Sequence, residues 1–211
     1  MDLELAINFL SNDFFMAVRE KGDDENMIIF SRTMHGSEAH EMLYWIEYCL
    51  ESSEMGSLKD VRYFTLGIGP GGFSGLRITS AVFSGLTFQR KNIYVRGVPS
   101  LAAVFDSIPE DAENPAVLFD GRRKDIFCFT SPDQREPEIL KEPDEIDKFD
   151  YVYALMEHKG ALQSFFKEKL SEIVMLESFP ADQLLESKKD YISGEDIDYF
   201  YEDLIYLRPP V

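Results

Sequence analysis

The sequence predicts a mixed α/β protein in which helices cover a sheet that opens with three antiparallel strands. Three short apolar segments, separated by turn-forming residues, occupy the first thirty positions. Strand-like and helix-like patterns then alternate to about residue 105. The predicted order is therefore β-β-β-α-β-α-β-α, which excludes a helical bundle and a closed barrel.

The three opening strands are predicted from local patterns. Apolar residues alternate with others through residues 3–8, which is typical of a strand with one buried face. A second apolar run covers residues 14–18. The turn-forming residues 22–26 then lead into a third strand at residues 27–30.

The first helix is predicted to start with Ser37 as its N-cap and to end near Leu50. Its apolar residues follow the i, i+3, i+4 spacing of a single buried face. Three further aromatic residues, Tyr44, Trp45 and Tyr48, widen that face. Two interpretations stay open at this point: the helix is wedged deep in the core, or it has a second surface that faces a partner.

The second helix, from about Ser74 to Gln89, follows a strand at residues 63–68 and precedes a strand at 93–97 and a short helix at 99–105. Its apolar residues surround most of the helix, so more than one side must be covered. Small residues allow another helix to approach closely. They are Ser80, Ala81, Ser84 and Gly85.

The charge is unevenly distributed and suggests two lobes, residues 1–106 and 107–211. Residues 1–105 have a net charge of −4, from nine basic and 13 acidic residues, and residues 106–211 have −14, from 12 basic and 26 acidic. The second lobe is predicted to contain four strands and two helices. The strands are at 116–119, 126–130, 151–155 and 173–176, and the helices at 160–170 and 181–188.

Composition narrows the range of functions. The 211 residues carry a formal charge of −18, which disfavours binding of nucleic acid by the chain alone. There is no apolar run of about 18 residues and no basic segment before an apolar N-terminal stretch, so we expect neither a membrane span nor a signal peptide. The two cysteines, Cys49 and Cys128, are far apart and predict a reducing, cytoplasmic location without a multi-cysteine metal site.

A glycine-rich loop joins the strand at 63–68 to the second helix. It satisfies G-x-G-x-x-G, but it follows the fourth strand, and residues 93–98 lack the acidic residue of a dinucleotide site. Backbone amides at a helix N-terminus favour an anion, which Arg77 would help to hold; a tight turn without a ligand is the alternative. The loop residues are Gly69, Pro70, Gly71, Gly72, Phe73, Ser74, Gly75 and Arg77.

Hydrolytic motifs are missing from the sequence. His35 and His40 are five residues apart, a spacing that turns them away from each other on a helix, and His158 is isolated. No HExxH motif and no Gly-x-Ser-x-Gly elbow is present. We therefore expect neither a metal site nor a serine nucleophile.

Four segments, in a fixed order, resemble the TsaB (YeaZ) family. GPGGFSGLRI at residues 69–78 is similar to the signature GPGSFTGLRIG of that family, and GVPSL at 97–101 is similar to GVSSL. DGRRKDIF at 120–127 is similar to DARRGEVY, and YLR at 206–208 to the terminal YLR. The residues of the third motif are Asp120, Arg122 and Asp125.

The resemblance implies an actin-like ATPase fold, of the sugar kinase, Hsp70 and RNase H-like group, with a reduced second lobe. It further implies a non-catalytic subunit that pairs with the catalytic TsaD-type paralogue and works with a TsaE-type ATPase. Such complexes place threonylcarbamoyl on adenosine 37 of tRNA, and this chain would meet tRNA only within the complex and form a homodimer when alone. The implied subunit interface lies on the helix pair. Its residues are Met42, Trp45, Tyr48, Ser80, Ala81, Ser84 and Phe88.

Three positions depart from the family pattern. Asn8 replaces an acid that would help to hold a metal-bound nucleotide, Gly72 stands where Ser is usual, and Ser74 where Thr is usual. These changes argue against nucleotide hydrolysis but not against a scaffolding role. We expect no tightly bound cofactor; ATP or ADP at the partner interface is the nucleotide that the resemblance allows. The alternatives are a nucleotide-binding kinase or ATPase of the same fold and a glycoprotease-like metallopeptidase.

Overall fold

The structure, a computed structural model, describes residues 2–10, 12–34, 38–121, 124–194 and 203–206. It is a mixed α/β protein with two sheets, as predicted. The chain forms two compact units. The first unit contains residues 1–100 together with 181–211, and the second contains residues 101–180.

The first unit is built on a six-stranded sheet that contains the predicted antiparallel opening. Its order is β11-β5-β4-β1-β2-β3. The strands are β1 (Leu3–Leu10), β2 (Asp13–Glu20), β3 (Met27–Thr33), β4 (Val61–Gly67), β5 (Tyr94–Val98) and β11 (Ile192–Ser193). Strands β1, β2 and β3 pair antiparallel, whereas β1, β4 and β5 run parallel. The first eight elements follow the predicted β-β-β-α-β-α-β-α order.

Two helices pack against one apolar core of this sheet. They are α1 (Met42–Ser52), which follows a 3₁₀ turn at Ala39–Glu41, and α2 (Phe73–Thr87). The side chains of Met42 and Ile46 from α1 and of Leu76 from α2 lie in that core, each at most 1% exposed. The predicted N-cap Ser37 lies outside the described residues. A third helix, α3 (Ser100–Phe105), begins where the first unit gives way to the second.

Strand β1 is buried on both faces, which corrects the prediction of one buried face. The face that carries Glu4 is polar but covered by the chain beyond residue 180, whose 3₁₀ turn contacts β1 and β2. Glu4 accepts hydrogen bonds from Arg19 at 2.8 Å and from Lys21 at 3.0 Å. Burial alone would raise the pKa of Glu4, but these two cations outweigh it and hold the pKa below its usual value.

Arg96 on β5 binds residues 184–189 and holds them against this polar face of the sheet. Its guanidinium donates to the carbonyl oxygens of four residues, and its Nε donates to the Thr65 hydroxyl at 2.9 Å. The four acceptors are Leu184 (3.1 Å), Leu185 (2.7 Å), Ser187 (2.5 Å) and Lys189 (3.1 Å). The helix predicted at 181–188 is therefore wrong: only a 3₁₀ turn, Ala181–Leu184, forms, because these carbonyls accept from Arg96 instead of from helix amides.

Because the chain beyond residue 180 packs again on the first unit, the two units differ from the predicted lobes 1–106 and 107–211. The first unit ends at residue 100, and the chain rejoins it at 181. The strand β11 adds to the sheet edge by pairing antiparallel with β5. A charge shift near residue 106 cannot reveal such a return, because the pairing joins residues that are almost a hundred positions apart.

The second unit has a five-stranded sheet of order β10-β9-β6-β7-β8. Its described residues include most of α3 and the helix α4 (Lys159–Phe166). Its strands are β6 (Pro115–Asp120), β7 (Ile126–Phe129), β8 (Glu138–Leu140), β9 (Tyr151–Leu155) and β10 (Ile173–Leu176). The sequence predicted four of them; β8, three residues long, was missed. The helix predicted to reach residue 170 ends at Phe166, since Lys167 has a φ of +52°.

The two sheets share one topology. In each, the first strand is central, pairs antiparallel with the second, and runs parallel to the fourth, while the third and fifth strands extend the two sides. The second unit is smaller, and a 3₁₀ turn at Pro143–Lys148 stands where the first unit has α1. This pair of related units is the actin-like ATPase fold that the resemblance implies. Within the described ranges, no helix has the length and apolar character needed to cross a membrane.

Candidate functional site

The glycine loop turns sharply between β4 and α2. Its peptide bond Gly69–Pro70 is cis, and Gly69 has a φ of +101°, a conformation that favours glycine. A Cβ at Gly69 would overlap the carbonyl oxygen of Ile205. The helix begins at Phe73, with Gly72 as an N-cap that provides no side-chain hydrogen bond.

Two of the loop amides are already bonded within the chain. The Gly69 amide donates to the Ser100 hydroxyl at 3.2 Å, and that hydroxyl donates to Asn8 Oδ1 at 2.8 Å. The Gly71 amide donates to the carbonyl of Ile205 at 3.2 Å. These bonds favour the tight-turn interpretation of the loop, and an anion held there by Arg77 stays a prediction.

Asn8 lies against the loop in a fully buried position. A Cβ at Gly67 would overlap its side chain, so glycine is required for this approach. Gly75 similarly makes room for the ring of Phe9. The Asn8 Nδ2 has no hydrogen-bond partner in the part of the chain that the structure describes. A carboxylate at this buried position would need a compensating cation.

The exposed side of α2 is a stripe that we call the α2 face: Phe73, Arg77, Ala81, Ser84 and Phe88. These positions recur at three- and four-residue spacing, so they lie along one side of the helix. Phe88 is 59% exposed, whereas Ser84 is half-buried. All five residues of the α2 face were predicted for a ligand or interface role, and Ser84 lies at its border.

Met42 and Ser80 are corrections to the predicted interface. Their side chains are 0% and 1% exposed, respectively. Thr79 on α2 lies beside Met42 on α1, with its Oγ1 3.9 Å from the Met42 sulfur. Both predicted residues therefore belong to the packing between α1, α2 and the sheet, and neither contributes exposed surface.

The exposed side of α1 carries three aromatic rings that pack together with Phe30 of β3. We call these four residues the aromatic cluster: Phe30, Tyr44, Trp45 and Tyr48. Trp45 stacks on Phe30 with ring centroids 5.6 Å apart, and its ring edges meet Tyr44 and Tyr48 at 5.1 and 5.7 Å. Tyr44 and Tyr48 are 56% and 50% exposed. Of the two interpretations of this helix, the structure of the chain supports a second apolar surface that is open to solvent.

The third motif, residues 120–127, begins at the end of β6 and ends in β7 of the second unit. The Gly121 amide donates to the carbonyl of Asp125 at 2.9 Å. A Cβ at Gly121 would crowd the ring of Phe127. Arg122 lies outside the described residues. Asp120 and Asp125 are half-buried.

The histidines and cysteines are dispersed. His40 is exposed and His158 is buried, while His35 lies outside the described residues. Across the described ranges, no three His, Cys, Asp or Glu side chains are placed to hold a metal ion. Both cysteines are buried, and burial raises the pKa of Cys128 to about 12, so this thiol stays protonated at neutral pH.

Residues 36–203 match the family model described as TsaD: tRNA N6-adenosine threonylcarbamoyltransferase. This match covers most of the chain. The chain belongs to the TsaD family. No curated protein sequence is matched by it.

Two solved structures share the TsaD-family fold of this chain over nearly its whole length. An uncharacterised protein with similarity to the peptidase YeaZ from Pseudomonas aeruginosa is 20% identical, with a TM-score of 0.64; the match covers 99% of this chain and 100% of that one. YeaZ from Pseudomonas aeruginosa is also 20% identical, with a TM-score of 0.62 and coverage of 93% and 97%. The family model and these folds confirm the predicted TsaB (YeaZ) resemblance.

Sequence reasoning missed several residues that shape the site. Ser100 links Asn8 to the Gly69 amide. It lies in the GVPSL motif at residues 97–101, which was used for the family resemblance without assigning a role to its serine. Arg96 was missed although a lone arginine in an apolar strand, residues 93–98, is a signal for a buried polar contact. No sequence pattern identifies Ile205, because its backbone N–H and C=O, and not its side chain, bond the glycine loop.

Proposed function

We propose that this chain is a non-catalytic subunit of a complex that makes N6-threonylcarbamoyladenosine at position 37 of tRNA, where it pairs with the TsaD-type paralogue. The observation that carries the proposal is the exposed apolar surface formed by the aromatic cluster on α1 and the α2 face. The two surfaces lie on the adjacent helices of a TsaD-family member, with Phe30 added from β3. Their exposed rings, Tyr44, Tyr48, Phe73 and Phe88, are 36–59% exposed in this chain.

The chemistry of this surface suits a protein partner. Monomeric proteins rarely expose large contiguous apolar patches, and those that do use them for association. Aromatic rings supply much of the binding energy at such sites. On the α2 face, Ala81 and the neighbouring Gly85 leave room for the backbone of another helix to come close.

The charges of the two helices indicate how a partner would be oriented. Helix α1 carries Glu47 and Glu51 on its exposed side, and the one cation at its aromatic cluster that the described residues show, Arg32 of β3, lies 3.8 Å from Glu41. Helix α2 carries Arg77 and no acidic residue. A partner helix opposite α1 should therefore be basic, and one opposite α2 acidic. A homodimer that places α1 of one copy against α2 of the other meets the same requirement, which supports the proposed homodimer of the chain alone.

The absence of a charged group at Asn8 supports the non-catalytic role. In the family pattern this position holds an acid, and here the amide is buried against Gly67 and Ser100. A metal-bound nucleotide needs anionic or water-bridged oxygen ligands, which this amide supplies poorly. We accordingly assign the chemistry to the paralogue, with a TsaE-type ATPase as the third member and any ATP or ADP held at the partner interface.

The isolated chain should not bind tRNA at physiological salt, whereas a mixture with the TsaD-type paralogue should. The reason is the net charge of −18, which offers few cations to release counterions from phosphates. Gel-shift titration at about 0.15 M salt, with the chain alone, the paralogue alone and the mixture, makes the measurement. Saturable micromolar binding by the chain alone would contradict the proposed route to tRNA.

A further inference from the structure

The segment Leu204–Tyr206 lies along the glycine loop like an added strand. The Ile205 amide donates to the carbonyl of Ile68 at 2.7 Å, and the Ile205 carbonyl accepts from the Gly71 amide at 3.2 Å. Gly71 and Tyr206 form a parallel bridge. Leu204 and Ile205 are 6% and 5% exposed and belong to the core beneath α1 and α2.

The shape of the loop fits this segment. The Ile205 carbonyl oxygen occupies the space that a side chain at Gly69 would fill, and Gly69 already requires glycine for its φ of +101°. The hydrogen-bonding groups of Ile68 and Gly71 on the side facing Ile205 are paired with it. The glycines therefore build a seat for the C-terminal segment.

The segment also touches the partner surface. The ring of Tyr206 lies 5.1 Å from the ring of Phe73, at the first turn of α2. The guanidinium of Arg77 lies 4.9 Å from the same Phe73 ring. Tyr206 thus contacts one end of the α2 face, two of whose five members are Phe73 and Arg77.

A second anchor fixes the chain before it reaches the loop. Arg96 bonds the carbonyls of residues 184–189, and Ile192 and Ser193 pair with β5. The C-terminal part of the first unit is therefore attached to the sheet at one site and to the glycine loop at another. Movement of α2's first turn must break contacts with Ile205 or Tyr206.

We propose that Leu204–Tyr206 is a built-in clamp on the glycine loop, and that Ile205 and Tyr206 are positioning residues that hold the first turn of α2 ready for its partner. The contacts of the clamp lie within this chain and do not depend on the proposed function. The effect on partner binding rests on the proposed subunit function.

Ile205→Pro tests the clamp, because proline removes the amide that donates to Ile68. Ile205→Val is its matched control, since it keeps both backbone hydrogen bonds. In native-state hydrogen exchange, we expect the hydrogen-bonded amides of Gly69, Gly71 and Leu76 to exchange at least about five-fold faster in Ile205→Pro than in wild type or Ile205→Val. Unchanged exchange in this loop would overturn the clamp.

Tyr206→Ala, with Tyr206→Phe as control, provides a second test that leaves the backbone bonds in place should the proline variant fail to fold. We expect Tyr206→Ala to speed exchange of the Leu76 amide, which bonds the Gly72 carbonyl and closes the first turn of α2, and to weaken binding of the TsaD-type paralogue about five-fold. Tyr206→Phe should do neither. Faster exchange with wild-type affinity would overturn the positioning role. Should wild type not bind the paralogue, the proposed function fails, while the exchange data still decide the clamp.

Discussion

Replacing Ala81 with arginine should abolish association with the TsaD-type paralogue while leaving the fold intact. Ala81 is exposed at the centre of the α2 face, between Arg77 and Ser84. In the free chain the new side chain extends into water, so folding should cost little. In a complex it would insert a long side chain where two helix backbones must come close, so the helices would have to move apart and lose packing, at a cost of about 3 kcal/mol.

A loss of about 3 kcal/mol corresponds to roughly a 100-fold weaker complex. Sedimentation velocity on mixtures with the paralogue measures it, with thermal unfolding of each variant alone as the check on folding. Gln163→Arg is a matched control, because Gln163 is an exposed helical residue of the second unit, on α4. If Ala81→Arg associates as tightly as wild type, the α2 face is not the interface.

Replacing Arg96 with methionine should destabilise the first unit by about 3–5 kcal/mol. Arg96 is 4% exposed, and its guanidinium satisfies four backbone carbonyls of residues 184–189. The ring of Tyr191 also lies over the guanidinium, 4.1 Å from its central carbon. Burial lowers the pKa of Arg96, but the carbonyls around it suit a cation. Methionine has a similar length but no donors, so these buried acceptors would lose their partner.

Urea unfolding measures the destabilisation from the midpoint and slope. Arg62→Met is the control, because Arg62 is half-buried and its only ion pair within the described residues, with Asp2, spans 4.0 Å. We expect that control to lose less than about 1 kcal/mol. A similarly small loss for Arg96→Met would show that the returning segment is held by its apolar residues instead.

The local patterns of the sequence predict most of the first unit. Alternation and helical spacing identify its antiparallel opening, β4, β5 and the helices α1 and α2, because each pattern lies within one segment. The segments that cover each face of the sheet are not predicted by such local patterns. Residues 3–8 look half-buried, yet β1 is buried on both faces because the chain beyond residue 180 returns to cover Glu4. No pattern within β1 carries that information.

For the candidate site, as for the fold, the sequence predicted where the elements lie but not how each residue is packed. The glycine motif located the loop, and the small and aromatic residues located the exposed faces of α1 and α2. Met42 and Ser80 were assigned to the interface from type and spacing, but the packing of α1 against α2 buries them. Ile205 was missed because its backbone, and not its side-chain type, bonds the loop.

The direct measurement of the proposed function is threonylcarbamoylation of tRNA by the TsaD-type paralogue and the TsaE-type ATPase, with and without this chain. We expect modification only when the chain is present, and its loss when Ala81→Arg replaces wild type, since in the proposed complex the chain supplies an interface and no reacting group. Equal modification with and without the chain would show that it is not a required subunit.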